Sequence, residues 1–167
     1  MYAIVELFLQ TGLRIGELAA LTVEDVREGE LHIAAQEGHG ERSVPLNRAA
    51  REAISRYLEI RGPSTSSLPS SGQAGQAKTK ALFITKTGRP LLIRNIRTAI
   101  DRYFRLAGIE EAKVNDLRHT FIAHHLMGGT PITTLSKLVG HKRLSTTEKY
   151  LELVKGKQLE NVKLEEL

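Results

Sequence analysis

One stretch of this chain limits what it can fold into more than any other. From Gly62 to Lys80 it reads GPSTSSLPSSGQAGQAKTK. This is rich in Ser, Gly and Pro and almost free of large apolar side chains, so burial cannot offset the entropy lost on ordering it. Neither flank holds a full core alone, so 62–80 is expected to be a flexible surface loop within one domain rather than a boundary between two. The total of 167 residues agrees. It suffices for one core burying roughly 70% of the unfolded surface, and is short for two.

With no cysteine, the core must hold by packing alone. Disulfides and thiolate metal sites are excluded, as suits a reducing cytoplasm. No apolar run approaches the ~20 residues of a membrane span. The opening MYAIVELFLQ carries Glu6 and no basic leader, so a soluble, non-exported domain is expected. Lys and Arg number 24 against 19 Asp and Glu, a formal charge of +5, with a pI of about 9.6. That balance favours an anionic partner such as nucleic acid. The basic residues are dispersed, so a mildly basic soluble surface fits the same totals.

Periodicity and breakers give a mainly helical α+β outline. Ala3 to Gln10 reads as an apolar helix, Thr11-Gly12 as a break, and Ile15 to Ala20 as a second helix, with Arg14 at the turn between them. Leu31 to Ala35 and Arg42 to Leu46 are strand candidates around a glycine-bearing turn, Gln36 to Glu41, and Pro45 suits an edge strand. Asn47 can cap a helix from Arg48 to about Ile60. Ala81 to Thr85 reads as a further strand. Ile93 to Ala107 is an amphipathic helix closed by Gly108, with Arg94, Arg97, Arg102 and Arg105 on its charged face, open to solvent or DNA.

Three further helix starts can be placed. Asn115 can cap a helix to Met127, and Thr130-Pro131 can start another ending near Val139-Gly140. Ser145 and Glu148 form a capping-box pattern that puts Tyr150 on the second turn of a short helix.

TGLRIGEL at 11–18, GHGER at 38–42, NDLRHTFIAHHL at 115–126, LVGH at 138–141 and Tyr150 follow in order. The first, third and fourth resemble the signature boxes of the tyrosine recombinase (phage integrase) family, with the tyrosine nine residues after the Gly-His histidine. The resemblance runs from about Ala3 to about Leu153. It implies the family's catalytic domain: mainly helical, with a small antiparallel sheet. It further implies a site-specific recombinase that cleaves and rejoins double-stranded DNA through a 3′-phosphotyrosine.

Carried over position by position, Arg14 and Arg118 match the catalytic arginines, His141 the later histidine, Tyr150 the nucleophile, and Glu17 the acidic residue that helps hold the site. The chemistry suits these residue types. Two guanidinium forks can neutralise the non-bridging oxygens of an attacked phosphodiester without a metal. A stored tyrosyl ester lets a 5′ hydroxyl reverse the step without ATP. No cofactor is implied. His119, His124 and His125 lack a metal-ligand spacing and read as packing or DNA-proximal residues.

Two positions depart from the family pattern. The usual hairpin lysine, which protonates the leaving 5′ oxygen, is replaced by His39 in a turn that reads one residue shorter, and no lysine precedes Lys78. His39 is either a substitute acid or a turn residue. Asn115 stands where most members have histidine; it can donate a hydrogen bond to phosphate or simply cap its helix. These departures admit a catalytically impaired DNA-binding or assembly protein as an alternative, and a type IB topoisomerase-like strand transferase shares the chemistry.

The family's N-terminal DNA-clamping domain has no counterpart in the thirteen residues before Arg14, as in an excised catalytic domain or a reduced member. The tail, 151–167, carries Leu153, Val154, Leu159, Val162, Leu164 and Leu167 in a loose helical stripe too short to be stable alone. The resemblance implies that it docks on a neighbouring subunit of a DNA-bound tetramer, and folding back on its own domain is the alternative.

Overall fold

A computed structural model describes residues 1–36, 38–62 and 79–160. Its helices are α1 (Tyr2–Thr11), α2 (Ile15–Ala20), α3 (Arg48–Arg61), α4 (Ile93–Leu106), α5 (Val114–Met127), α6 (Ile132–Val139) and α7 (Leu144–Glu160). Between α2 and α3 lie a 3₁₀ turn (Val23–Asp25) and strands β1 (Val26–Arg27), β2 (Glu30–Ile33) and β3 (Arg42–Pro45). The strands form one antiparallel sheet in the order β1-β2-β3. The α+β class expected from the sequence is the one observed.

α1 forms because Ala3, Ile4, Leu7 and Phe8 bury one face, and it packs on α3 and α5. It stops at Gly12, whose φ of 61° is the left-handed C-terminal turn that glycine adopts without a Cβ penalty. Phe121 fills the space where a Cβ at Gly12 would stand. In the sheet Leu31 pairs with Val44, both buried, while Pro45 lies on the edge strand, as its missing N–H requires. Two reciprocal backbone bonds between Gln36 and His39, of 3.0 and 2.8 Å, close the hairpin's end. Asn47 caps α3 as expected, its Oδ1 accepting from the Ala50 amide at 3.0 Å. α4 buries Ile96 and Ile100 and exposes Arg94, Arg97, Arg102 and Arg105.

The main core joins α1, the sheet, α3, α4 and the start of α5, with Leu7, Leu13, Leu18, Leu31, Leu82 and Ile96 fully buried. A smaller cluster of Phe121, Ile122, Leu135 and Val139 sits between α5 and α6, and Leu126 and Tyr150 pack against it.

Four local expectations are corrected. Ala81 to Thr85 is no ladder strand: it makes isolated bridges through Ala81 with Thr22 and Ile84 with Pro90. Its amides find other acceptors, Leu82 on the Leu21 carbonyl at 2.7 Å and Ile84 on the Tyr57 hydroxyl at 3.0 Å, while Leu82 and Phe83 are buried. Asn115 is not a cap. α5 starts at Val114, and the Asp116 carboxylate accepts from the Lys113 amide at 2.7 Å, leaving Asn115 exposed in the first turn.

α6 begins at Ile132, one residue beyond Pro131. α7 begins at Leu144, so Ser145 lies inside its first turn. The helix is also not short, running to Glu160 with Tyr150 still on its second turn.

Residues 63–78 of the expected loop lie outside the described residues. So do 161–167 of the tail, with Val162, Leu164 and Leu167, and the side chains of Leu153 and Leu159. Val154 is buried within its own chain. No helix among the described residues is long and apolar enough to cross a membrane.

Candidate active site

The site is organised around a buried carboxylate and the C-terminal end of one helix. Glu17, 3% exposed, lies in the first turn of α2. Its carboxylate takes the Arg14 amide at 2.8 Å and the Arg14 guanidinium at 2.9 Å. It also takes both arms of the Arg42 fork, each at 2.8 Å. Burial disfavours the charge, but the Arg42 and Arg14 hydrogen bonds and the two positive charges overcome it, holding the pKa at about 2. One carboxylate thus aligns two arginines that would otherwise repel.

The last carbonyls of α6 complete the frame. Arg42 donates to Leu138 O at 2.8 Å, Arg118 to Val139 O at 2.7 Å and Arg14 to Gly140 O at 2.7 Å. These are among the carbonyls left without partners at a helix C-terminus, where the macrodipole is negative and cations are favoured. Three arginines, from the α2 cap, β3 and α5, converge there. Gly140 is required on two counts: its φ is 67°, and a Cβ would stand 2.8 Å from an Arg42 nitrogen.

Arg118, 7% exposed, also donates to Gly12 O. Burial, then the charges of Arg14 and Arg42, lower its pKa to about 10. A guanidinium has five N–H donors. Arg14 and Arg118 each use two in these bonds, which leaves three apiece.

His141 follows this carbonyl end. Its Nδ1 is 2.8 Å from the hydroxyl of the fully buried Thr147. Burial, then Arg118, Arg14, Arg42 and His39, bring its pKa down to about 4. The imidazole is therefore neutral near pH 7, with Nδ1 in a hydrogen bond with the Thr147 hydroxyl and Nε2 left for another partner.

Tyr150 stacks on His141 at a ring separation of 6.3 Å and meets the edge of His119 at 5.6 Å. Partial burial raises its phenol pKa, and the nearby Arg118 opposes this.

The structure therefore brings Arg14, Glu17, Arg118, His141 and Tyr150 together. His39 lies at the rim, on the hairpin. Its Nδ1 is enclosed with no hydrogen-bond partner among the described residues, and burial, then Arg14 and Lys142, push its pKa below the usual value. Asn115 is exposed at the start of α5, three residues before Arg118, and makes no side-chain hydrogen bond among the described residues.

Sequence reasoning missed Arg42 and Thr147. Arg42 had one signal, a lone cation on a strand whose neighbour Val44 faces the core. Thr147 had none, being one threonine among several.

Residues 1–156 match the sequence model of the phage integrase family. The chain belongs to the phage integrase family. Among curated members it is 36% identical over 157 residues to the tyrosine recombinase XerC of Thermodesulfovibrio yellowstonii, covering 89% of this chain and 48% of that protein. It is 34% identical over 163 residues to the XerC of Staphylococcus carnosus, covering 96% and 51%. This family member thus spans about half the length of the curated relatives it matches.

Among solved structures, the crystal structure of XerA recombinase superposes with a TM-score of 0.78 at 25% identity, over 98% of this chain and 58% of that one. A lambda integrase dimer bound to a COC′ core site gives 0.71 at 16% identity, over 98% and 45%, a likeness of fold alone.

Proposed function

We propose that this phage integrase domain cleaves and rejoins double-stranded DNA at specific sites through a 3′-phosphotyrosine on Tyr150. The observation that carries this reading is the convergence of Arg14 and Arg118 on adjacent carbonyls, with spare donors, beside Tyr150. A phosphodiester there would have its non-bridging oxygens held by two forks, supplying charge stabilisation without a metal. Glu17 and Arg42 hold the forks in place. His141 would add a neutral Nε2–H donor, and Tyr150 would attack in line.

Exchange of one phosphate ester for another conserves the bond, so rejoining needs no ATP. His39 and Asn115, at the rim and at the α5 start, would face the DNA backbone. The exposed arginines of α4 add basic surface for the duplex. The setting is a reducing cytoplasm.

The tail belongs to the same reading. Val154 is buried in its own domain, so docking on a neighbouring subunit of a tetramer would begin beyond it, with Leu159, Val162, Leu164 and Leu167. Each leucine buried would contribute roughly 1.5 to 3 kcal/mol. Deleting Lys157 to Leu167 should weaken multimer formation on DNA, read by gel shift and light scattering, and spare the monomer's thermal stability. Loss of that stability with normal assembly would return the tail to the core.

The deciding experiment incubates the protein with a pool of nicked duplexes carrying randomised arms, in which the short fragment bearing the released 5′ hydroxyl diffuses away and leaves the adduct trapped. Wild type should yield a covalent protein–DNA species whose DNA defines the site. Tyr150→Phe should bind that DNA and form no adduct. An adduct from the Phe variant would refute the assignment.

A further inference from the structure

Strand cleavage expels a 5′ alkoxide, which needs a proton as the bond to phosphorus breaks, and the cations around this site differ in their ability to give one. The three guanidiniums are held by Glu17 and the carbonyls at the end of α6, and in the reading above the free donors of Arg14 and Arg118 serve the non-bridging oxygens. His141 is neutral near pH 7, with Nδ1 occupied by Thr147. His39, pressed by burial and by Arg14 and Lys142, is also short of the imidazolium form.

Lys142 remains. It directly follows His141 and is exposed, and it takes no ion pair among the described residues. Its ammonium lies across the hairpin turn: a Cβ on Gly38 would come within 2.8 Å of Nζ and 3.4 Å of Cε. Gly38, with a φ of 80°, thus answers to the turn and to the lysine lying over it. From there Lys142 shares the neighbourhood of His39 with Arg14 and Arg42, whose charges act on the same imidazole.

We propose that Lys142, lying over the hairpin turn at Gly38, is the proton donor to the leaving 5′ oxygen, a role that rests on the strand-transfer reading above. As the Tyr150 Oη–phosphorus bond forms and the phosphorus–O5′ bond breaks, the phenolic proton passes to water and an Nζ proton passes to O5′. On rejoining, the neutral amine takes the proton of the incoming 5′ hydroxyl while the tyrosyl ester breaks and the phenol is reprotonated from water. Nothing is oxidised or reduced, and no further reactant is consumed. A hairpin without a lysine of its own is then supplied with one from the segment leading into α7.

The test uses the full chain and the duplex selected by wild type, made with either the natural 5′ oxygen or a bridging 5′ sulfur at the scissile phosphate. Single-turnover cleavage of the oxygen substrate by Lys142→Ala should fall by about 10²- to 10⁴-fold, the usual worth of general acid catalysis. Cleavage of the sulfur substrate should stay within about threefold of wild type, because a thiol of pKa about 8.5 leaves as thiolate without help. Lys142→Arg keeps the charge but gives up its proton poorly, so it should show the same split.

Equal slowing on both substrates would mean that Lys142 only binds DNA or supports the turn, and would overturn the proposal. So would wild-type rates on the oxygen substrate, or a sulfur-rescued defect in His39→Ala with none in Lys142→Ala. If wild type forms no adduct with either duplex, the strand-transfer reading itself falls, and the role of Lys142 with it.

Discussion

The arginine frame and the tyrosine-bearing helix are neighbours built on different physics. Arg14, Glu17 and Arg42 are anchored in the main core through α2 and β3, and every polar contact is charged or aimed at a helix end. Tyr150 instead leans on four buried side chains, Phe121, Ile122, Leu135 and Val139, in a cluster apart from that core. Its link to the frame is a ring stack on His141, itself held by Thr147. An arginine–carboxylate frame of this kind is rigid because dismantling it strands buried charge. The contact of Tyr150 with that cluster can loosen while α6 stays in place and its carbonyls keep their arginines, since only a small apolar contact of α7 is lost. Tyrosine placement is thus the adjustable part of the site.

The strongest challenge to this contrast is Glu17→Gln. It leaves the Arg14 and Arg42 guanidiniums facing one another without a counter-charge, and should cost about 3 to 5 kcal/mol in urea unfolding at pH 7. The sign with pH follows from a folded pKa of about 2 against an ordinary 4.5. The carboxylate's stabilisation is complete above 4.5 and is lost as pH falls toward 2. The gap between wild type and Glu17→Gln should therefore narrow across that window. Equal stability at pH 7 would show that the frame is not the rigid part.

Leu135→Ala comes next, at about 3 kcal/mol for a fully buried leucine. The loss should appear as faster amide exchange in α6 and α7, with α1 and α3 still protected. If α1 loses protection equally, the two regions unfold as one and the contrast fails.

Thr147→Val is the smallest change, about 1 kcal/mol, since it removes one hydrogen bond to His141 Nδ1. Nitrogen NMR of His141 should show the balance between its two ring tautomers change. In the wild type His141 has a folded pKa of about 4, below its usual 6.5. The unfolded chain therefore binds the proton first, and α7 docking should weaken as pH falls from 6.5 to 4. Unchanged α7 exchange over that interval would detach His141 from the tyrosine's seat.

The amino-acid order alone carried the helices with clean apolar faces, the Asn47 cap, the edge role of Pro45 and the ordered motifs that placed Arg14, Glu17, Arg118, His141 and Tyr150 in one family. Those signals are local, because periodicity and capping are written within one or two turns of chain. Where two local signals competed, the sequence could not arbitrate. Asp116 outreached Asn115 for the start of α5, and the amides of 81–85 found Leu21 and Tyr57 instead of a neighbouring strand.

Only the tertiary structure gathered three arginines on the end of α6, joining Arg14 to Gly140 across 126 positions and Arg42 to Leu138 across 96. No local rule pairs a guanidinium with a carbonyl that far along the chain. The partner is chosen when packing brings a helix end, with its unpaired oxygens and negative dipole, against cations that must be satisfied before they can be buried.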